Sequence, residues 1–221
     1  MAISKFNYNS FNVTPVASKA LAFDADADGF TAASGSSMIL IKTLTASSSA
    51  TLSFVNGSSD VVLDDTYPVY KFVFINIHPA SDGQEFRFNG SDDTSSHSYD
   101  IAKTTTSFDA HHNEGDGTTA LTYQTGGDLA QGTGFQMIGS GTGTDNDQCI
   151  AGTLHLFNPS STTFVKHFMS TVNCYTDNDF SREDFTAGYF NTTAAITALQ
   201  FKFASGNIDA GVIKLYGIAD S

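Results

Sequence analysis

Three carboxylates at alternate positions, Asp24-x-Asp26-x-Asp28-Gly29, are the pattern on this chain best suited to chemistry. Oxygen ligands two residues apart converge on one hard cation where a glycine permits a sharp turn, as at the start of a calcium loop. The closing acid of such a loop is missing, since its twelfth position is Gly35. No helical pattern flanks it. The segment therefore reads first as an acidic turn held by Asx chemistry. Calcium at Asp24, Asp26 and Asp28 would be a structural clamp for an N-terminal arm, and no metal ligand is assigned.

Other candidates are weaker. His111-His112 stands near Glu114 and Asp116, but adjacent strand residues point to opposite faces and do not share an ion. The spacing lacks a His-x-His or His-Glu-x-x-His frame, and an exposed polar loop is the better reading. His78, His97, His155 and His167 are isolated. Asp177, Asp179, Glu183 and Asp184 could supply a carboxylate pair for glycoside hydrolysis, which needs two carboxyls across a cleft; clustered Asp is first a solvated loop. Gly139-Ser-Gly-Thr-Gly143 reads as a flexible linker, and no nucleophile elbow or phosphate loop occurs. Cys149 and Cys174 form no metal motif; they read as two buried thiols, with a disulfide as the alternative. No catalytic residue and no cofactor is assigned, so the chain is expected not to be an enzyme.

The elements that must position these residues are strands. Residues 38–44, 50–55, 61–63, 69–77, 85–88, 149–157 and 164–170 read as strands bounded by Gly, Ser, Asn and Asp. Residues 69–77 are the longest apolar run and predict a central strand covered on both faces. Residues 98–110 hold one or two strands. Residues 111–147 and 177–184 read as long polar loops at an exposed tip, and Ser181-Arg-Glu-Asp184 could open a single helical turn. At the C-terminus Leu199, Phe201 and Phe203 alternate with Gln200 and Lys202, then Ile213, Leu215 and Gly217 alternate with Lys214, Tyr216 and Ile218. These two runs predict a two-stranded antiparallel unit with Leu215 in the core and Tyr216 on the opposite face.

Eleven to thirteen short strands without an amphipathic helix imply an all-β fold, an antiparallel β-sandwich or jelly roll. Residues 1–35 are read as an N-terminal arm and acidic loop, and 36–221 as one sandwich domain. With 221 residues, 40% of them hydrophobic and 19 of them Phe, the chain can fill a large core. Only 15% of residues are charged and the net charge is −13. Ten scattered basic residues do not make a phosphate-binding surface, which excludes nucleic acid as the expected partner. No run is long enough for membrane insertion. MAISKFNYNSF has no apolar h-region, so no secretory leader is expected.

The ending Gly211-x-Ile213-x-Leu215-Tyr216-Gly217-Ile218 resembles the C-terminus of virion structural proteins of tailed, often marine, bacteriophages. Asn76-Ile-His-Pro-Ala-Ser-Asp82, Asn89-Gly-Ser-Asp92, Leu154-x-Leu-Phe-Asn-Pro-Ser160 and Phe164-Val-Lys-His-Phe168 are similar to segments of the same family. The resemblance implies a non-enzymatic virion part, assembled in the host bacterial cytoplasm. A host-facing tail fibre or receptor-binding subunit is expected first, a capsid decoration (head cement) protein second, and a stand-alone carbohydrate-binding module third. Expected partners are copies of the chain itself, as a homotrimer, with other phage virion proteins and a host surface glycan.

Overall fold

The computed structural model describes residues 21–23, 30–32 and 37–220. Asp24, Asp26 and Asp28, and most of the expected N-terminal arm, lie outside the described residues. The chain divides into two compact units, Met1–Ser37 and Met38–Ser221. In the first, β1 (Leu21–Phe23) pairs antiparallel with β2 (Phe30–Ala32), and the rings of Phe23 and Phe30 stack at 5.1 Å.

The second unit is all-β, a sandwich of two antiparallel sheets. Its strands are β3 (Met38–Thr45), β4 (Leu52–Val55), β5 (Val69–Pro79), β6 (Gln84–Ser91), β7 (Lys103–Asn113) and β8 (Thr119–Tyr123). They continue with β9 (Gln136–Thr142), β10 (Ile150–Phe157), β11 (Lys166–Tyr175), β12 (Phe180–Phe190), β13 (Ala198–Phe203) and β14 (Ile208–Ile218). One sheet has the order β3-β14-β5-β10-β11-β12-β7-β8 and the other β4-β13-β6-β9. Without β7, β8, β11 and β12, the strands β3-β14-β5-β10 face β4-β13-β6-β9, which is the strand order of a jelly roll. The two omitted hairpins extend the larger sheet by four strands on the β10 side.

Phenylalanine fills the space between the sheets. The ring of Phe201 lies 5.3 Å from those of Phe72 and Phe74, and 6.0–6.2 Å from Phe54, Phe86 and Phe88. Period-2 alternation puts these residues inward, where the rings meet in edge-on, tilted and offset contacts. Gly217, in the C-terminal motif, is where the ring of Tyr67 lies flat on the backbone: a Cβ there would sit 2.3 Å from the ring.

Several expectations are corrected. The terminal pair is not a hairpin within one sheet, because β13 pairs with β4 and β6 while β14 pairs with β3 and β5. Alternation tells which residues point inward; it cannot tell whether the next strand lies beside or opposite. Leu215 is buried with Leu199, Phe201 and Phe203, and Tyr216 faces away, as expected. β5 is interior in its sheet but covered on one face only: Tyr70, Phe72 and Phe74 are buried, whereas Ile75 is 37% exposed. Residues 61–63 form no strand. Val61 and Leu63 are nevertheless buried, held by Gly57 N–H to Val61 O at 2.9 Å and Leu63 N–H to Asn56 Oδ1 at 2.9 Å.

Candidate functional site

The two segments expected as exposed polar loops both contain strand, and they meet. Residues 111–113 end β7, 119–123 are β8 and 136–142 are β9. The first four residues of the supposed linker at Gly139–Gly143 belong to β9, with Gly139 and Thr142 buried. Residues 181–184 are extended within β12, not a helical turn. The β11–β12 turn at 176–179 remains loop and is clamped on both sides. Asp177 N–H donates to Gly141 O at 2.8 Å, and Glu114 N–H donates to Asp179 O at 3.0 Å.

β7 and β12 pair so that His111 stands opposite Arg182 and Asp109 opposite Asp184. All four point inward, the two aspartates fully buried. Like charges directly across a sheet repel; here the compensation runs along each strand. His111 Nδ1–H donates to Asp109 Oδ2 at 2.6 Å. Arg182 donates to Asp184 Oδ1 through Nε at 3.0 Å and Nη2 at 2.9 Å, and the same Nη2 lies 3.6 Å from Asp109 Oδ1. Ser140 N–H caps Asp184 Oδ2 at 3.1 Å, and Gln124 Nε2 donates to Asp109 Oδ1. Burial raises the Asp184 carboxyl, and Arg182 and Ser140 oppose that rise. The facing acids hold the Arg182 guanidinium above its ordinary value against its own desolvation.

Cys174, opposite Arg182 on the other flank, is buried with its sulfur 3.9 Å from Asp184 Oδ2. Burial, then Asp184, pushes its thiol up to about 12, so it is held as a neutral thiol. Cys149 is part-exposed, and both cysteines are free.

Above the square opens a cleft of about 380 Å³. Its walls are His111, the Ser140–Gly141 backbone, Asp177, Asn178, Phe180 and Arg182. Asn178 Nδ2 donates to Asp177 Oδ1 at 2.7 Å, and both residues are exposed. Asp177 Oδ2 approaches the backbone of Gly83, which has φ +65; a Cβ at that position would lie 2.9 Å from the carboxylate. The ring of Phe180 meets that of His111 edge-on at 5.4 Å.

Of the candidates read from sequence, His111, Asp177 and Asp184 come together here. His112 turns outward to Asp116 at 3.0 Å, so the two histidines do face apart. Glu183 faces outward and accepts from Asn173 at 3.3 Å. Asp179 is at the turn but does not line the cleft. Among the described residues no group of three or more His, Cys, Asp or Glu is placed to hold a metal ion. Asp109, Arg182, Asn178 and Phe180 were missed. The signal for two of them was available: Asp109-x-His111 and Arg182-x-Asp184 are i, i+2 pairs, which share a face in any strand. No protein family, no characterised protein and no solved structure matches this chain.

Proposed function

We propose that this chain is a non-enzymatic structural subunit of a tailed-bacteriophage virion, of host-facing fibre or receptor-binding type, working as one of several identical copies. Jelly rolls are a recurrent architecture of viral shells and lectins, and the sequence resemblance leads to the same class. The observation that carries the reading is the outer face of the eight-stranded sheet. No described strand of the sandwich packs on it, and it displays large apolar side chains: Leu40 at 50% exposure, Phe108 at 39%, Leu121 at 73%, Tyr123 at 51% and Met169 at 57%. Phe108 stacks on Phe185 there, at 4.8 Å. An apolar face of this breadth belongs in an interface.

The occupant is another copy of the chain. Lys71 and Lys214 lie on the outer face of β5 and β14 and make no ion pair among the described residues. Glu183, outward on β12 towards the other margin, has no cationic partner among them either. Glu183 of one copy meets Lys71 and Lys214 of the next, and such heterologous contacts form a ring where the rotation between copies closes. Three copies are expected.

Sedimentation velocity of the full chain at micromolar concentration tests the assembly. An oligomer that Met169→Asp converts to monomer is expected; a monomeric wild-type chain across that range defeats it. Antibody labelling of phage particles tests the address. Label at the tail tip is expected, label over head facets would move the subunit to capsid decoration, and unlabelled particles would reject a virion role.

A further inference from the structure

We infer that the cleft between β9 and the β11–β12 turn binds an uncharged hexose oligosaccharide; this rests on the host-facing reading above and names the chemistry of its receptor. The cleft offers three kinds of group at once. Asp177 and Asn178 are an exposed carboxylate–amide pair, bonded to each other at 2.7 Å, with Asp177 Oδ2 and the Asn178 carbonyl oxygen left to accept from neighbouring hydroxyls. Arg182 uses Nε and Nη2 on Asp184; among the described residues its Nη1 makes no hydrogen bond, which leaves donors for a ligand oxygen. Phe180 lends a half-buried ring against which the C–H face of a sugar packs.

Charge selects against the other ligand classes. The single guanidinium is already opposed by two buried carboxylates, and Asp177 adds a third acid at the rim. A phosphate, sulfate or sialic acid would meet net negative charge. A metal ion would find one exposed carboxylate, short of the ligand number hard cations need. A neutral polyol uses donors and acceptors alike and needs neither excess.

The cleft is also pre-organised. Thr176 N–H donates to Phe180 O at 3.0 Å and Asp177 N–H to Gly141 O at 2.8 Å, so the turn is held before any ligand arrives. Little ordering remains to be done on binding. An open cleft of this size grips one or two sugar rings, so single-site affinity is weak and several copies on one particle supply avidity.

The test is saturation-transfer NMR on the full wild-type chain with cellobiose, lactose and maltose, and with a sulfated heparin disaccharide as the anionic probe. Transfer to at least one neutral disaccharide is expected, with none to the sulfated one. Asn178→Ala, at an exposed turn position, and Phe180→Ala should each weaken binding about fivefold or more, with unchanged circular dichroism for Asn178→Ala. Silence from all three neutral sugars, preference for the sulfated probe, or binding undiminished in Asn178→Ala overturns the inference. Tail-tip labelling without sugar binding defeats this inference alone; sugar binding by a chain that no particle carries defeats the virion reading and keeps the cleft.

Discussion

Under β3, β14, β5 and β10 the large sheet buries phenylalanine rings; under β7 and β12 it buries Lys103, Thr105, Ser107, Asp109, Asp184 and Thr186. One sheet thus has two interiors. In the jelly-roll half, apolar area is removed from water, at roughly 1.5–3 kcal/mol for each large side chain, and no partner has to be matched. In the added half the inward polar groups must each find a specific partner, beside the buried Phe168, Val172 and Phe190. Gln136 shows how tightly this is met: it accepts from Thr105 Oγ1 at 2.8 Å and donates to Gly127 O at 2.6 Å and Met137 O at 2.7 Å. The apolar half tolerates changes of shape, whereas the polar half tolerates changes only in matched sets. The cleft lies over the polar half, where rigid hydrogen bonding holds side chains in place.

The harshest break of this comparison is truncation after Gly211. It removes most of β14, which joins β3 to β5 and contributes Ile213 and Leu215 to the core. Insoluble protein is expected, because the neighbouring strand edges and the rings beneath them are laid bare. A soluble fragment with native near-ultraviolet dichroism would show that the polar half folds without the apolar one.

Single substitutions sharpen it. Phe201→Ala leaves a cavity amid five rings and should cost about 3–5 kcal/mol in urea unfolding. Arg182→Leu should cost a similar 3–5 kcal/mol, by leaving buried Asp109 and Asp184 uncompensated. The halves separate in the rescue. Asp109→Asn/Arg182→Leu/Asp184→Asn, which removes all three charges, should be more stable than Arg182→Leu alone. If the triple variant is the less stable, the square acts by packing and not by charge.

The apolar half was legible in the sequence, because alternation of Phe with polar residues is the signal that period-2 reading uses. Residues 38–44 and 69–77 fall within strands, 149–157 matches β10 but for its first residue, and Leu215 is in the core. Of the polar half only the strand was legible: residues 98–110 are expected to hold one or two strands, and β7 runs through them. Nothing in Lys103, Thr105, Ser107 and Asp109 as residue types says that they point inward, which the strands packed over them decide. For the same reason residues 139–143 read as linker, although 139–142 belong to β9, an edge strand. Sheet membership of β13 and β14 also escaped, since it is set by the partner strands and not by either strand's own pattern.

Lys103 probes the polar half by pH. Its Nζ is buried, donating to Asn89 Oδ1 and Ile101 O at 2.7 Å each, with the Phe190 ring 5.6 Å away. Burial brings it down from 10.5 to about 8, partly offset by Asp100. Between these values the unfolded chain binds the extra proton, so stability rises with pH through that window; below about 8 the full penalty applies. The gain is about 3 kcal/mol. Lys103→Met should lack it, so the difference between the wild-type and variant melting temperatures should change between pH 8 and pH 10.5. A difference that stays flat would mean that water reaches the ammonium.

The smallest effect comes from an ion pair with the same strand spacing as Arg182 and Asp184 but the opposite setting. Arg87 and Glu85 are also two residues apart, on β6, and Arg87 Nε donates to Glu85 Oε2 at 2.9 Å. Their side chains are 36% and 35% exposed, whereas those of Arg182 and Asp184 are 17% and 0% exposed. Water and salt screen the exposed pair, and holding two long side chains together costs entropy, so such a pair contributes roughly 0–1 kcal/mol. Glu85→Gln should therefore shift urea stability by no more than about 0.5 kcal/mol, and 1 M salt should erase the shift. Arg182→Leu should keep its full cost in the same salt, because ions do not enter the buried square. A salt-insensitive loss at Glu85 would place that pair among the committed partners and blur the line between the two halves.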